Sequence, residues 1–113
     1  MSYERRLAQR IYSILQQYVP AEDSRRLRKV VVRCGEMDAL DADRLAASWP
    51  EVAVGPAYRD SYIELHRDEA EARCVHCNHV FPVADRTSAC PRCGHEQFSI
   101  VHQPPRIETF VLE

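Results

Sequence analysis

The sequence predicts an α+β fold, in which a small three-stranded sheet with two helices carries a small inserted cysteine-rich subdomain. Three patterns support this prediction: an amphipathic stripe at residues 3–18, β-branched and alternating segments typical of strands, and two Cys-x-x-Cys pairs in the second half. The 113 residues, of which 45% are hydrophobic, suffice for one modest core. We expect an α+β module formed by residues 1–70 and 98–113, with the insertion at 71–97.

The first predicted element is an amphipathic helix. Its apolar residues recur at the spacing of one helix face: Tyr3, Leu7, Ile11, Ile14, Leu15 and Tyr18. Pro20 ends the helix, because the residue before a proline is pushed out of the helical region.

A strand is predicted at residues 28–34, around the run Val30-Val31-Val32. It is entered through a basic cluster at residues 25–29. The cluster is either a phosphate or acidic-partner patch or a solvated strand entrance with protective charges at a sheet edge. No aromatic residues alternate with these charges, which favours the solvated entrance. Cys34 at the end of the strand is predicted to be a buried, inert side chain.

The second helix begins near Ala42, where Asp41 offers an N-cap and Leu45 and Trp49 share one face. Pro50 either ends or kinks it. Three later segments read as short strands because of their alternating or β-branched residues: 61–66, 98–102 and 107–112.

The cysteine pattern predicts a tetrahedral zinc site, so the insertion is a zinc ribbon. Cys74 and Cys77 form one chelating pair, and Cys90 and Cys93 form the other after twelve intervening residues. The alternatives are a redox Cys-x-x-Cys motif and a disulfide framework. A redox motif normally occurs singly beside a βαβ pattern, and no secretory leader indicates an oxidising compartment.

Composition restricts the function classes. The formal charge is −2, whereas general nucleic-acid binders are usually strongly basic. No apolar run approaches the roughly twenty residues of a membrane span, and no charged-then-apolar leader opens the chain. We therefore expect a cytoplasmic protein with reduced thiols available to metal.

The chain resembles the HypA/HybF nickel metallochaperones of [NiFe]-hydrogenase maturation. The resemblance lies in the order of the elements, the two Cys-x-x-Cys pairs at this separation, Leu7-Ala8-Gln9, and the strand-turn Val31-Val32-Arg33-Cys34-Gly35-Glu36. It implies that nickel is taken up with a HypB-like GTPase and inserted into the hydrogenase large subunit or its precursor. The partners expected from this resemblance are that subunit and that GTPase.

The resemblance also implies a nickel site at the amino terminus, and here the sequence departs from the family. Family members begin Met-His-Glu and hold Ni²⁺ in a plane of nitrogen donors, including that histidine, a geometry that suits Ni(II). This chain begins Met1-Ser2-Tyr3-Glu4, so Tyr3 takes the place of the histidine. A phenol with a pKa near 10 is a poor nickel donor at neutral pH. We therefore expect zinc to be bound and nickel binding to be altered or lost.

Two histidines, His79 and His95, follow the zinc motifs and match flanking histidines of some family members. They are candidates for hydrogen bonds to the cysteine sulfurs. Three functions remain open: a HypA-type maturation factor, a zinc-ribbon adaptor without nickel delivery, and a nucleic-acid-binding ribbon. A closed Cys₄ site lacks the open coordination position of catalytic zinc, so enzymatic activity is not expected.

Overall fold

A computed structural model describes residues 2–83 and 89–113. The helices and strands follow in this order: α1 (Tyr3–Leu15), β1 (Leu27–Gly35), α2 (Ala42–Val52), a short 3₁₀ turn (Pro56–Tyr58), β2 (Tyr62–Asp68), β3 (Glu71–Cys74), β4 (Val80–Pro82), β5 (Phe98–Ile100) and β6 (Arg106–Leu112). This architecture confirms the predicted α+β class.

The chain forms two compact units. The first comprises Met1–Arg33, Ala39–His66 and Pro105–Glu113, and the second comprises Cys34–Asp38 and Arg67–Pro104. The sequence predicted one domain formed by residues 1–70 and 98–113 and another formed by residues 71–97. These domain bounds stay a prediction.

The first unit combines the two helices with a sheet of order β2-β1-β6. Strand β1 pairs antiparallel with β6, and Val30 lies opposite Phe110 in this register. α1 packs against α2, and both helices place their apolar faces in the core. The core side chains of these elements are almost completely buried: Leu7, Ile11, Leu15, Val30, Val32, Leu45 and Trp49.

α1 ends earlier than predicted, and of the two alternatives at Pro50, an end or a kink, the structure excludes an end. α1 ends at Leu15 rather than near Tyr18, because the backbone N–H groups of Gln17 and Tyr18 donate to the carbonyls three residues earlier, those of Ile14 and Leu15, in a tighter turn. α2 continues through Pro50 to Val52. Trp49 and Val52 on either side of the proline are buried, so the packing of the helix face outweighs the lost hydrogen bond.

A second three-stranded sheet, of order β4-β3-β5, forms in the second unit. β3 and β4 were not expected from the sequence, since the segment Glu71–Cys74 carries no β-branched residue. β5 pairs antiparallel with β3 in this sheet. The buried residues of this sheet are few and include two of the cysteines: Ala72, Cys74, Phe81 and Cys90.

Candidate metal centre

The four predicted zinc ligands lie together in the second unit. Their Sγ atoms are all within 4.8 Å of one another. The Sγ atoms of Cys74 and Cys93 are 3.5 Å apart, and those of Cys77 and Cys90 are 3.7 Å apart. A disulfide would place two sulfurs about 2.05 Å apart, whereas a tetrahedron with Zn–S bonds of about 2.3 Å has edges of about 3.8 Å. The four thiols therefore fit one tetrahedral Zn²⁺.

The two cysteine pairs lie in two separate turns of the same conformation. The residue after the second cysteine has positive φ, at 63° for Asn78 and 78° for Gly94. The backbone N–H of Cys74 donates to the His79 carbonyl at 2.9 Å, and the N–H of Cys90 donates to the His95 carbonyl at 2.9 Å. The motif is thus Cys-x-x-Cys-(Asn/Gly)-His twice over. Asparagine and glycine are the residues that tolerate this left-handed conformation, and they bend each turn around its sulfurs.

These turns also direct backbone N–H groups at the sulfurs. The N–H of Cys77 donates to Cys74 Sγ at 3.5 Å, and the N–H of Arg92 donates to Cys90 Sγ at 3.4 Å. The Cys77 N–H is the main cause that lowers the pKa of Cys74 to about 6. Such donors stabilise thiolates, which are the form that binds metal.

Without a cation, the close packing of the four thiols opposes the loss of all their protons. The backbone N–H of His95 acts to lower the pKa of Cys93, but desolvation and hydrogen bonds with the three neighbouring thiols raise that pKa to about 12. Adjacent thiolates repel each other, and a bound divalent cation removes this repulsion and deprotonates a coordinating thiol outright. The donor set therefore suits zinc, and its affinity should fall in acid.

The two candidate histidines make ring contacts beside the cluster. The ring of His79 stacks on Phe81 with 6.1 Å between centroids. The ring of His95 stacks on His76 with 4.8 Å between centroids and 15° between planes. Among the described residues, the hydrogen bonds to the four cysteine sulfurs come from backbone N–H groups and from other thiols. A hydrogen bond from either imidazole to sulfur stays a prediction.

The predicted nickel residues begin the first unit. Ser2 is the N-cap of α1, and its Oγ accepts from the Arg5 N–H at 3.1 Å. Glu4 is only 5% exposed, and its carboxylate accepts from the backbone N–H of Asp41 at 3.2 Å. Tyr3 lies in the first turn, and Met1 lies outside the described residues. Residues 2–4 thus supply a helix cap and a packing contact, and they contain no imidazole.

Two further features bear on rival functions. In the basic cluster, Arg25 pairs with Asp23 at 2.8 Å, Arg26 with Asp60 at 3.6 Å and Lys29 with Glu64 at 3.9 Å. These pairings within the chain support the solvated entrance, but the predicted sheet edge is wrong, because β1 lies between β2 and β6. Among the described residues, neither helix has the length and apolar character needed to cross a bilayer.

Cys34 is fully buried and is not disulfide-bonded, and its sulfur is not among those of the four-thiol cluster. The guanidinium Nη1 of Arg67 lies 3.8 Å from its Sγ. This placement agrees with the predicted role of a buried side chain outside the metal site.

The chain is similar in sequence to one family of known proteins. A family model described as hydrogenase/urease nickel incorporation, metallochaperone, hypA matches residues 2–104. The hydrogenase maturation factor HypA of Azotobacter vinelandii is 24% identical over 98 residues, covering 87% of each chain. The factor of the same name from Legionella pneumophila strain Lens is 22% identical, covering 95% of this chain and 96% of its own.

Two solved structures have the same fold. The solution structure of the Ni metallochaperone HypA from Helicobacter pylori aligns with a TM-score of 0.64 at 20% identity, covering 95% of this chain and 94% of that one. Another solution structure of a HypA protein aligns with a TM-score of 0.68 at 19% identity, covering 96% and 93%.

Proposed function

Because this chain belongs to the HypA family of hydrogenase/urease nickel incorporation metallochaperones, we propose that it is an accessory factor in the maturation of a [NiFe]-hydrogenase. In this proposal it docks to the hydrogenase large subunit or its precursor, to a HypB-like GTPase, or to both. Its nickel handling is altered or lost. It acts in the cytoplasm, where thiols stay reduced, and it catalyses no reaction of its own.

The observation that carries the proposal is the pair of matching turns that bring four thiols within 4.8 Å. We propose that Cys74, Cys77, Cys90 and Cys93 hold one structural Zn²⁺. All four positions of a tetrahedral ion are then filled by protein, so the metal has no open site for substrate. Zinc here stabilises the β4-β3-β5 sheet, whose apolar cluster is too small to do so alone.

The altered nickel handling follows from the amino terminus. The donors left to Ni²⁺ are the terminal amine and backbone amides, with a phenol at Tyr3 in place of an imidazole. The backbone N–H of Arg5 already donates a hydrogen bond to the Oγ of Ser2, the N-cap of α1. Without the imidazole nitrogen, a tetragonal Ni(II) site lacks one of the donor atoms in its plane.

Nickel titration of the zinc-loaded chain tests this part of the proposal. We expect no calorimetric binding tighter than about millimolar. A variant that lacks Ser2 and carries Tyr3→His restores the Met-His-Glu start, and it should bind one Ni²⁺ tightly. The same deletion with Tyr3→Phe is the matched control and should bind none. One tight Ni²⁺ on the unaltered chain, abolished by blocking the amino terminus, would refute the loss of nickel binding.

Capture of purified partners tests the docking role. Immobilised zinc-loaded chain should retain a [NiFe]-hydrogenase large-subunit precursor or the GTPase from the same source. Retention without tight nickel binding is the result that the proposal predicts, whereas retention with no effect of the chain on the nickel content of the hydrogenase would favour the alternative function, a zinc-ribbon adaptor. Failure to retain either protein, together with a steep salt-dependent interaction with mixed DNA or RNA, would point to a nucleic-acid-binding ribbon instead.

A further inference from the structure

A continuous groove runs along the first unit between α1 and β6. Three adjoining recesses form it, and neighbouring recesses share lining residues: Leu7 and Arg10 link the first two, and Ile14 and Ile107 link the last two. The recess at the far end has a volume of about 330 Å³ and is bounded by Tyr18 and Phe110. We call this feature the α1–β6 groove. Its apolar lining includes Leu7, Ile11, Ile14, Val32, Ile107 and Phe110.

One wall of the groove is the edge of a sheet. In the order β2-β1-β6, strand β6 is paired with β1 on one side only among the described strands. The other side presents backbone N–H and C=O groups that can pair with an additional strand. A strand added there would direct alternate side chains toward α1 and into the groove, because successive side chains point to opposite faces of a sheet.

Apolar side chains remain partly exposed along this path. Ile14 is 38% exposed, Tyr18 is 59% exposed and Val111 of β6 is 37% exposed. Ile14 and Tyr18 line the groove itself. A fourth strand would cover such side chains and thereby gain the free energy of apolar burial.

The other end of the groove is basic. Arg6 and Arg10 lie one helical turn apart on α1 and line its first recess. In the described part of the chain, neither guanidinium has an ion pair with a carboxylate. Arg106 lines the middle recess with Arg10. Glu108, on the β6 side, is held by Arg33 at 2.8 Å. A ligand with carboxylates would therefore complement this end.

We propose that the α1–β6 groove binds an extended segment of a partner protein, which adds to β6 as a fourth strand. The segment carries alternating apolar residues that enter the groove and one or more carboxylates that pair with Arg6 and Arg10. This is strand addition to a sheet edge, in which main-chain hydrogen bonds give affinity and side-chain pockets give specificity. The inference rests on the proposed function for the existence of a protein partner. A second copy of this chain suits the groove less well, because the carboxylate that β6 itself offers, Glu108, is already paired.

Selection from a displayed random-peptide library on the zinc-loaded full chain tests the proposal. The enriched peptides should be rich in Asp or Glu and in β-branched residues. Their affinity should fall by about tenfold or more for the double variant Arg6→Glu/Arg10→Glu, since two ion pairs become two repulsions. The matched control is Arg44→Glu/Arg59→Glu, which makes the same charge change at exposed sites outside the groove. Peptides without acidic residues, equal loss in both double variants, or no enrichment at all would overturn the proposal.

Amide NMR shifts locate the bound peptide. The proposal requires shifts in β6 and along the groove face of α1, and weaker binding by Ile14→Ser, which removes an exposed apolar side chain without disturbing the core. Shifts confined to other strands would refute strand addition to β6. Concentration-dependent dimerisation that the peptides compete with would assign the groove to a second copy and would also refute the proposal.

Partner capture separates this inference from the proposed function. If the unaltered chain and Arg6→Glu/Arg10→Glu retain a hydrogenase large-subunit precursor or the GTPase equally, the groove is not the docking surface, while the maturation role stands. If neither protein is retained but the acidic peptides bind as described, the groove stands and the maturation role fails.

Discussion

Removal of one zinc ligand should unfold the second unit and leave the first unit folded. The perturbation is Cys77→Ser or Cys93→Ser, since either leaves three thiolates for a four-coordinate ion. Serine keeps the size of the side chain but is a poor zinc ligand. Metal is therefore lost while packing changes little.

The expected magnitude follows from the contents of each unit. The apolar cluster of the second unit contains one large, well-buried side chain, Phe81, and burying such a side chain contributes about 1.5–3 kcal/mol. A structural zinc contributes an apparent ~10–16 kcal/mol at neutral pH, comparable to the whole stability of a typical domain. The free energy lost with the metal is therefore larger than the stabilisation that this apolar cluster provides.

Two probes report the units separately. Trp49 is the single tryptophan and is 1% exposed in the first unit, so its fluorescence reports that core alone. Amide NMR signals of Ala72, Phe81 and Phe98 report the second sheet. In either variant we expect zinc content to fall to near zero and these amides to lose dispersion, while Trp49 emission stays that of a buried indole. Chelation of zinc from the unaltered chain should have the same effect.

The matched control is Cys34→Ala, which removes the buried cysteine that lies outside the cluster. It should keep one zinc per chain. If Cys77→Ser or Cys93→Ser retained full zinc with unchanged melting, the four-cysteine assignment would be wrong. If Trp49 became exposed on zinc loss, the units would depend on each other and the predicted independence would be refuted.

Three further results are expected. Glu4→Ala should lower the free energy of unfolding by about 1–3 kcal/mol, because the Asp41 N–H loses its buried acceptor; urea unfolding measures this, and Glu4→Gln should lose less. Tyr58→Phe should cost about 1–2 kcal/mol by thermal unfolding, because the Tyr58 hydroxyl donates to the Val19 carbonyl at 2.5 Å. Desolvation raises the pKa of Tyr58 from 10.0 to about 12, so its stabilising contribution is complete below about pH 10 and is lost as pH rises to about 12; an alkaline stability profile that is the same for Tyr58→Phe would contradict this. Gly94→Ala should weaken zinc affinity by about tenfold in a competition titration, because its φ of 78° is strained for alanine by about 1–2 kcal/mol although the added Cβ meets no atom within 4 Å.

Local signals in the sequence predicted much of the fold. The stripe from Leu7 to Leu15 and the run around Val31 set one helix and one strand by periodicity and β-branching alone. The extent of α2 was not predictable from Pro50, since buried neighbours decide whether a helix continues past it. Two strands of the second sheet were missed because they are short and, in Glu71–Cys74, carry no β-branched residue.

The sequence predicted which four cysteines lie together, but not the turns that bring them together; their role as zinc ligands stays a prediction. Spacing identified the four cysteines, while Asn78 and Gly94 went unnoticed as the positive-φ residues of the turns. The repeated Cys-x-x-Cys-(Asn/Gly)-His pattern was the signal that could have revealed them. The bond between Glu4 and Asp41 joins residues 37 positions apart, and no local pattern carries that information. The α1–β6 groove likewise exists only once the helix and the edge strand are adjacent.

Nickel in a [NiFe]-hydrogenase large subunit, measured in cells with and without this chain, tests the central claim most directly. We predict that deletion lowers the nickel content and activity of the purified hydrogenase, and that the unaltered chain restores both whereas Cys77→Ser does not. A full nickel complement in the deletion strain would contradict a role in hydrogenase maturation.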